Sequence, residues 1–411
     1  MDRRRFLQTA GCFSAGTIAA LAPHAWTAQA AQPNNQKRLI VVFLRGAVDG
    51  LNVVVPYTEP NYYSARPKIA IPKPGNDRGS NSSAIDLDGR FGLHPALSAL
   101  MPFWNDRSLA FVHASGSSDG TRSHFDAQDY MESGTPGIKN TKDGWMNRLL
   151  VQIANQSPVQ ALNLGNTTPR ILTGSMAVAS LAPGKRSVNP QVLDRPQVGS
   201  AFDRLYNGND AMSRIYREGR EAHKVILADL QAEMIQADGG APTAQGFASD
   251  AKRLAQLMVR NPKMQLGFVA LGGWDTHINQ GSSQGLLASR LKPLGDGLAE
   301  LVKGLGPVYR DTTIVVMSEF GRTVRENGNG GTDHGHGNVM WLLGGGIRGQ
   351  KVYGEWPGLE DGELNEKRDL TVTTDFREAI APLITNHLQL GEGALSKVFP
   401  GYRVMGKLGI L

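Results

Sequence analysis

The chain has 411 residues, of which 40% are hydrophobic and 19% are charged, with 49 glycines and 22 prolines. This composition excludes an intrinsically disordered or fibrous protein and predicts a globular chain with many tight loops. The formal net charge is only +6, and no Lys/Arg tract is interleaved with aromatic residues, so we expect no nucleic-acid partner.

The first 30 residues have the order of an export signal. A basic segment, Arg3–Arg5, precedes a small-residue apolar stretch from Ala10 to Ala22 and a cleavage-site pattern at Ala28–Ala30. The Arg-Arg-x-Phe-Leu order resembles a twin-arginine signal, which exports folded proteins. A membrane anchor is the alternative, but the apolar run is shorter than the ~20 residues that a span needs. We therefore predict a periplasmic or secreted protein, mature from near Ala31, without a stable membrane span and with the twin-arginine machinery as its export partner.

Cysteine is confined to this signal. Cys12 is the single cysteine of the chain. The mature protein therefore has no thiol, which excludes disulfides, thiolate metal sites and a cysteine nucleophile.

Short apolar runs alternate with helix-period segments along the chain. This alternation predicts an α/β fold with a mostly parallel central sheet and helices on both faces. Several of the runs lack polar alternation, as in strands that are buried on both sides. The predicted strands are Arg38 to Leu44, Leu109 to His113, Val159 to Leu164, Gln265 to Leu271, Thr312 to Met317 and Val339 to Leu343.

No repeat or linker divides the chain, so we assign residues 31–411 to one domain with a helical insertion near 200–260. Lys68 to Asp88 is predicted to be a surface loop, and Thr167 to Pro196 an irregular insertion. The predicted helices are Pro95 to Trp104, Phe125 to Glu132, Trp145 to Ile153, Met212 to Ala237, Ser249 to Val259, Gly285 to Lys303 and Phe376 to Leu390.

Polar residues follow the predicted strands, which is where open α/β sheets bind their ligands. Carboxylates and imidazoles gathered at one sheet edge, without thiols, are the ligand set of divalent Zn, Mn, Mg or Ca. The sequence therefore predicts a divalent metal site at this edge. The candidate metal ligands are Asp49 after the first strand, Asp275 and His277 after the fourth, Glu319 after the fifth, and Asp333, His334 and His336 before the sixth, with Asn52 and His124 as auxiliary candidates. The catalytic candidates at the same edge are Arg122 and Ser123 after the second strand and Arg322 after the fifth.

Residue spacing supports part of this set. Asp275 and His277 are two residues apart, so in an extended segment both side chains point to one side, and His334 and His336 repeat the spacing. A capping Asp in a turn explains Asp275 equally well, and a flexible polar loop is the alternative for the histidine segment. Asp49 is either a ligand or a turn residue.

Ser123 matches a helix N-cap, with Asp126 three residues further on. The same position suits a nucleophile, because a nearby metal favours loss of the hydroxyl proton and a helix N-terminus binds an oxyanion. Arg122 and Arg322 either bind a phosphate or sulfate or form ordinary ion pairs. The sequence contains no phosphate-loop Gly-Lys-Ser/Thr and no His-Glu-x-x-His, and no dinucleotide fingerprint follows the first predicted strand. Metal-assisted hydrolysis of a small anionic ester is the chemistry that uses carboxylates and imidazoles in these places.

Five segments, in order, resemble the bacterial family known as domain of unknown function 1501, over about residues 38–410. That family is similar in topology to the alkaline phosphatase superfamily. The resemblance implies a three-layer sandwich and metal-dependent hydrolysis of phosphate or sulfate esters. The segments are Arg-Gly-Ala-Val-Asp-Gly-Leu-Asn, Ser-His-Phe-Asp-Ala-Gln, Gly-Gly-Trp-Asp-Thr-His, Met-Ser-Glu-Phe-Gly-Arg-Thr and Gly-Thr-Asp-His-Gly-His-Gly.

The resemblance also implies roles for single residues. A nucleophilic serine at a helix start corresponds to Ser123. By position, Asp49 corresponds to the acidic ligand after the first strand. Asp275 and His277 correspond to the Asp and His of one metal site, which His334 or His336 completes.

A second metal site is implied less completely. Glu319 stands where the superfamily places an acid for the second ion, but the next residue is Phe320 instead of the usual His or Asn. Completion of that site therefore requires His124 or Asn52. Two functions stay open: an exported ester hydrolase, or an exported binding or assembly protein that keeps a structural metal but no chemistry.

Overall fold

The computed structural model describes residues 36–75, 82–153, 159–183, 196–219, 246–404, 406 and 408–411. The predicted export signal lies outside these residues, as does the part of the predicted helix Met212 to Ala237 that follows residue 219. Residues 37–411 form one compact unit. Within the described ranges, no helix is both long enough and apolar enough to cross a membrane.

The apolar runs fold into a mixed, mostly parallel sheet, which contains nine strands within the described residues, beside a small three-stranded sheet. In chain order the strands are β1 (Arg38–Arg45), β2 (Val54–Val55), β3 (Ile85–Asp86), β4 (Gly92–Leu93), β5 (Leu109–Gly116), β6 (Ala161–Leu164), β7 (Ala179–Leu181), β8 (Leu266–Gly272), β9 (Thr312–Ser318), β10 (Asn338–Gly344), β11 (Lys351–Tyr353) and β12 (Thr374–Asp375). The large sheet has the order β11-β5-β10-β9-β1-β8-β6-β7, with β12 beside β5. The pairs that β10 forms with β5 and β9 are antiparallel, and the other pairs are parallel.

Helices cover both faces of the sheet. In chain order they are α1 (Gly50–Val53), α2 (Pro60–Ala65), α3 (Met101–Asn105), α4 (His124–Ser133), α5 (Trp145–Gln152), α6 (Pro196–Leu205), α7 (Phe247–Arg260), α8 (Leu286–Leu305), α9 (Phe376–Pro382) and α10 (Glu392–Val398), and residues 211–219 are helical as well. Ile40 and Val42 of β1 join an apolar cluster with α7 and α8, whereas Leu39 and Val41 join a second cluster with α5 and α9. Because successive strand residues point to opposite faces, each cluster fills one face. The predicted α/β class, with helices on both sides of a mostly parallel sheet, is confirmed.

The carboxyl ends of the central strands lie at one level. Arg45 at the end of β1 pairs with Gly272 at the end of β8, and β9 ends beside them. Since β10 runs in the opposite direction, it begins at this edge, where Asn338 pairs with Ser115 of β5. The connection formed by residues 319–337 therefore both starts and ends at the edge where the sequence predicts the site.

Several elements differ from the prediction for local reasons. The predicted helix Phe376 to Leu390 is interrupted: α9 ends at Pro382, which has no N–H to donate, and a π-helical turn follows over Leu383–His387. The predicted surface loop contains β3, and the predicted irregular insertion contains β7, which pairs in parallel with β6. Strands of two or three residues such as β11 and β12 are too short to show a periodic pattern.

Two buried histidines stabilise the edge loops as neutral rings. In each ring Nδ1 accepts a backbone N–H, and Nε2 donates to a backbone carbonyl, that of Ser282 for His94 and that of Val54 for His113. Burial lowers the pKa of each imidazole to about 4. Both rings are therefore uncharged at neutral pH in the folded protein.

We expect the free energy of unfolding to fall as the pH drops from 7 to 5. The unfolded histidines gain protons below a pKa of about 6.5, whereas the folded rings stay neutral until about 4, so protonation favours the unfolded chain within that window. Each ring should lower the stability by about 2 kcal/mol at pH 5. Urea unfolding of the chelated protein and of His113→Gln at both pH values measures this, and the variant should lose about half of the effect. If the free energies of unfolding of the wild type and the variant changed equally with pH, His113 would not contribute to the loss of stability.

Candidate metal centre

Three loops at the carboxyl edge bring a histidine-rich cluster together. His124 begins α4 after β5, Asp275 and His277 follow β8, and His334 lies in the connection between β9 and β10. His124, Asp275 and His334 each offer a ligand atom, and these atoms lie within 4.8 Å of one another. His277 completes the group, because its Nε2 is 3.0 Å from Asp275 Oδ1 and 3.0 Å from His334 Nε2.

The Nε2 atoms of the cluster face one another. His334 Nε2 is 3.0 Å from His124 Nε2 and 3.5 Å from the Asp275 carboxylate, which is itself 3.6 Å from His124 Nε2. The side chains of His124 and His334 are 27% exposed, and those of His277 and Asp275 about 40%, so solvent and small molecules reach the cluster. The cluster is an open surface site.

The partners of the Nδ1 atoms determine how the rings are protonated. His124 Nδ1 lies 2.8 Å from Glu319, His277 Nδ1 lies 3.1 Å from Asp333, and His334 Nδ1 lies 2.9 Å from the carbonyl of Arg122. Ionised carboxylates and carbonyls only accept, so each Nδ1 carries the proton. In the neutral rings, Nε2 therefore presents a lone pair.

These lone pairs repel one another unless a cation lies between them. Three imidazole nitrogens with a carboxylate, each imidazole held by a hydrogen bond at its far nitrogen, form the arrangement typical of protein-bound Zn²⁺. The residues thus fit the divalent ion that the sequence predicts, and His124, His277, His334 and Asp275 are the ligands that would hold it.

Neighbouring charges shift the pKa values at the cluster. Burial acts to raise the pKa of Asp275, but the hydrogen bond and charge of Arg322 hold it below its usual value. The hydrogen bond to Glu319 raises the pKa of His124, whereas burial and the charge of His124 lower the pKa of His334. Of these two rings, His124 therefore binds a proton before His334, and an ion would displace it.

Glu319 lies behind a ligand, although the sequence analysis predicts it to be one. Its Oε1 accepts from His124 Nδ1, Gln128 Nε2 and the backbone N–H of Gly46, and its Oε2 accepts from Ser318. With both oxygens used in this way, Glu319 orients the His124 ring. The sequence gives no signal for Gln128, which shares this role.

Phe320 packs against the ligand rings. Its ring centroid is 4.8 Å from that of His124 and 5.2 Å from that of His334, and it is buried with Ala47 and Ala127. An apolar side chain therefore occupies the position at which the resemblance implies a ligand of a second ion.

Asp49 belongs to a buried ion pair away from the cluster. Its Oδ2 accepts from Arg66 Nη1 at 2.6 Å and from Gln280 Nε2 at 2.6 Å, and both charged side chains are at most 1% exposed. Asn52 accepts from the same guanidinium and from the Tyr62 hydroxyl. The guanidinium therefore supplies the positive charge for Asp49 that the sequence analysis assigns to a metal, and Asn52 does not join the histidines.

The two candidate arginines bind carboxylates of the chain itself. Arg122 Nη2 is 2.6 Å from Asp369 and 2.7 Å from Glu366. Arg322 is buried, with Nη1 2.6 Å from Asp275 and its other donors on Thr332. Arg322 thus fixes Asp275, one of the residues that would hold an ion, and Arg122 ties the start of α4 to residues 366–369.

The remaining predicted residues lie around the cluster. Ser123 is the exposed N-cap of α4, and its Oγ accepts the N–H of Asp126 at 3.4 Å. Asp333 accepts from His277 and so orients that ring. His336 is directed to the carbonyl of Ser117 at 3.2 Å and lies outside the cluster. Of the two loop histidines, the structure therefore brings His334 to the site.

Comparisons with known proteins give a family match over most of the chain. A family model described as Protein of unknown function (DUF1501) matches residues 36–399. No curated protein matches the sequence.

Three solved structures resemble the chain at low sequence identity. The C-terminal periplasmic domain of EcEptC from Escherichia coli, in complex with Zn, is 12% identical with a TM-score of 0.34, over 75% of this chain and 73% of that one. Ps i-CgsB in complex with k-i-k-neocarrahexaose is 11% identical with a TM-score of 0.34, over 87% and 74%. A protein in the alkaline phosphatase superfamily from Vibrio parahaemolyticus is 10% identical with a TM-score of 0.33, over 77% and 62%. Matches at this level say nothing about what this chain binds.

Proposed function

Because the chain belongs to the DUF1501 family, whose description assigns no function, we propose its function from its own site: it is a metal-dependent hydrolase of phosphate or sulfate esters. The observation that carries this proposal is the convergence of three Nε2 atoms and a carboxylate in an open site, with every Nδ1 held from behind. Metal-binding sites that retain solvent access are typical of catalytic ions.

The chain's own residues prepare this site for an anionic ester. A divalent ion, when bound, supplies the positive charge that polarises an ester oxygen. Glu319 and Asp333 hold the rings of His124 and His277, and Arg322 holds Asp275, so the ligands need little rearrangement to bind the ion.

Ser123 is the proposed nucleophile. It lies between Arg122, whose carbonyl holds the ring of His334, and the ligand His124. It is also the N-cap of the ten-residue helix α4, whose first N–H groups favour an oxyanion. Ser123 Oγ accepts the backbone N–H of Asp126, so this bond does not use the hydroxyl proton. That proton can therefore be transferred to a base.

The proposal predicts turnover of an aryl phosphate, a phosphodiester or an aryl sulfate by the metal-loaded protein. Ser123→Ala should lower kcat by more than about 10³-fold, because the group that attacks the ester is lost. Metal content should stay unchanged, and Ser396→Ala at an exposed helix position serves as the control. Equal activity of Ser123→Ala and the wild type would exclude Ser123 as the nucleophile.

An exported binding or assembly protein with a structural ion is the second candidate. It is favoured by Arg122 and Arg322, which are both engaged by carboxylates of the chain, and by the packing of Phe320 on the ligand rings. Under this alternative, chelation lowers the melting temperature strongly while no ester class is turned over. Turnover that depends on the ion excludes it.

We also propose that the protein is exported by the twin-arginine route to the periplasm or beyond. Arg3→Lys combined with Arg4→Lys should retain the precursor in the cytoplasm, because that signal is read through its arginine pair. Arg5→Lys keeps the pair and is the control. Fractionation and the mass of the processed chain measure the outcome, and normal processing of the double variant would argue for another route.

A further inference from the structure

One arginine at the edge of the sheet, Arg290, has no side-chain hydrogen bond or ion pair among the described residues. Arg45, Arg66, Arg122 and Arg322 each form an ion pair with a carboxylate of this chain. Within the part of the chain that the structure describes, the side chain of Arg290 forms no hydrogen bond or ion pair. Its guanidinium thus keeps all five N–H donors available to a ligand.

Arg290 lies beside the loop that carries two of the metal ligands. It projects from the second turn of α8, and its guanidinium rests on Gly273, which follows β8 directly and precedes Asp275 by two residues. A Cβ atom at Gly273 would lie 3.0 Å from Arg290 Nη1 and 3.2 Å from Cζ. Two residues span at most about 7 Å, so the guanidinium lies close to the segment from which Asp275 and His277 extend.

The loop leaves this guanidinium uncovered. Gly272 and Gly273 are exposed and have no side chains, and Gly273 has a φ of +93°, a conformation that favours glycine. A side chain at Gly273 would occupy the position against which the guanidinium lies. Because neither glycine has a side chain, the half-buried guanidinium of Arg290 lies against this loop without a side chain of the loop covering it.

We propose that Arg290 binds an anionic group of the substrate and determines specificity for anionic esters. A guanidinium with free donors matches the paired oxygens of a phosphate or sulfate. Arg122 and Arg322, the arginines that the sequence predicts for this task, are already held by carboxylates, whereas Arg290 is not. The choice of substrate class rests on the proposed hydrolase function, but binding of the anion does not.

Titration of the metal-loaded full protein with inorganic sulfate and with inorganic phosphate tests the proposal. Arg290→Gln should weaken the binding of both anions by at least about tenfold, since hydrogen bonds to a charged group are lost. Arg290→Lys should restore part of the affinity. Lys292→Gln removes the same charge from the same helix and is the matched control, expected to bind as the wild type does.

The outcomes separate this inference from the proposed function. Wild-type affinity of Arg290→Gln, or no binding of either anion by the wild type, overturns the role of Arg290. Loss of anion binding in Arg290→Gln with unchanged metal content supports it. If that loss occurs while no ester is turned over, the anion site stands and the hydrolase proposal fails.

Discussion

Replacing His334 with alanine is expected to abolish stoichiometric metal binding. His334 Nε2 lies 3.0 Å from both His124 Nε2 and His277 Nε2, so it is the ligand that joins the other two rings. Loss of an outer hydrogen-bond partner typically lowers metal affinity by 10- to 100-fold, and loss of a direct ligand should exceed about 100-fold. Elemental analysis and competition with a chromogenic chelator measure the effect.

His336→Ala is the matched control for this prediction. It removes an imidazole two residues away whose Nε2 is directed to the carbonyl of Ser117 instead of the cluster. We expect this variant to bind the ion as the wild type does. Equal losses in the two variants, or none in His334→Ala, would contradict the assignment of the ligands.

Asp49→Asn is expected to destabilise the protein by about 3–5 kcal/mol without changing its metal content. The substitution leaves the Arg66 guanidinium buried without its counter-ion, although its bonds to the carbonyls of Thr323 and Val324 remain. A buried charge that loses its partner carries a large desolvation cost, which is the reason for the size of the effect. Urea unfolding of the chelated protein measures it.

Two further variants test this explanation. Asp296→Asn removes one half of an exposed ion pair with Lys292 and should cost less than about 1 kcal/mol. Combining Asp49→Asn with Arg66→Met removes the orphaned charge and should recover part of the lost stability. Loss of the bound ion in a folded Asp49→Asn protein would instead place Asp49 in the metal site.

The fold could be predicted because its signals are local. Unbroken apolar runs identify buried strands such as β1 and β9, and the position of polar residues after those strands identifies the functional edge. The two-residue spacing also brings Asp275 and His277 together, at 3.0 Å. Each of these inferences needs only neighbouring residues.

The roles of single residues could not be predicted because they depend on partners that are distant in the sequence. Asp49 is neutralised by Arg66 and Gln280, which no motif connects to it. His334 and His336 share the spacing of Asp275 and His277, yet the carbonyl of Ser117 holds His336 outside the cluster.

The same limit explains Glu319 and His124. A carboxylate that follows a strand predicts a metal ligand. Gly46 and Gln128, however, donate hydrogen bonds to Glu319, and His124 lies at the cluster instead. The sequence predicts His124 only as an auxiliary residue. Whether its ring faces the other histidines depends on how α4 is oriented. That orientation is a property of packing, not of spacing.

Elemental analysis combined with X-ray absorption, on protein purified without chelator or affinity metal, shows whether the histidine cluster holds an ion. We expect one divalent ion per chain, with imidazole nitrogens as most of its ligand atoms. No ion in the folded protein would contradict a metal centre at the cluster. Two ions per chain would contradict the placement of Asp49 in an ion pair and of Glu319 behind His124.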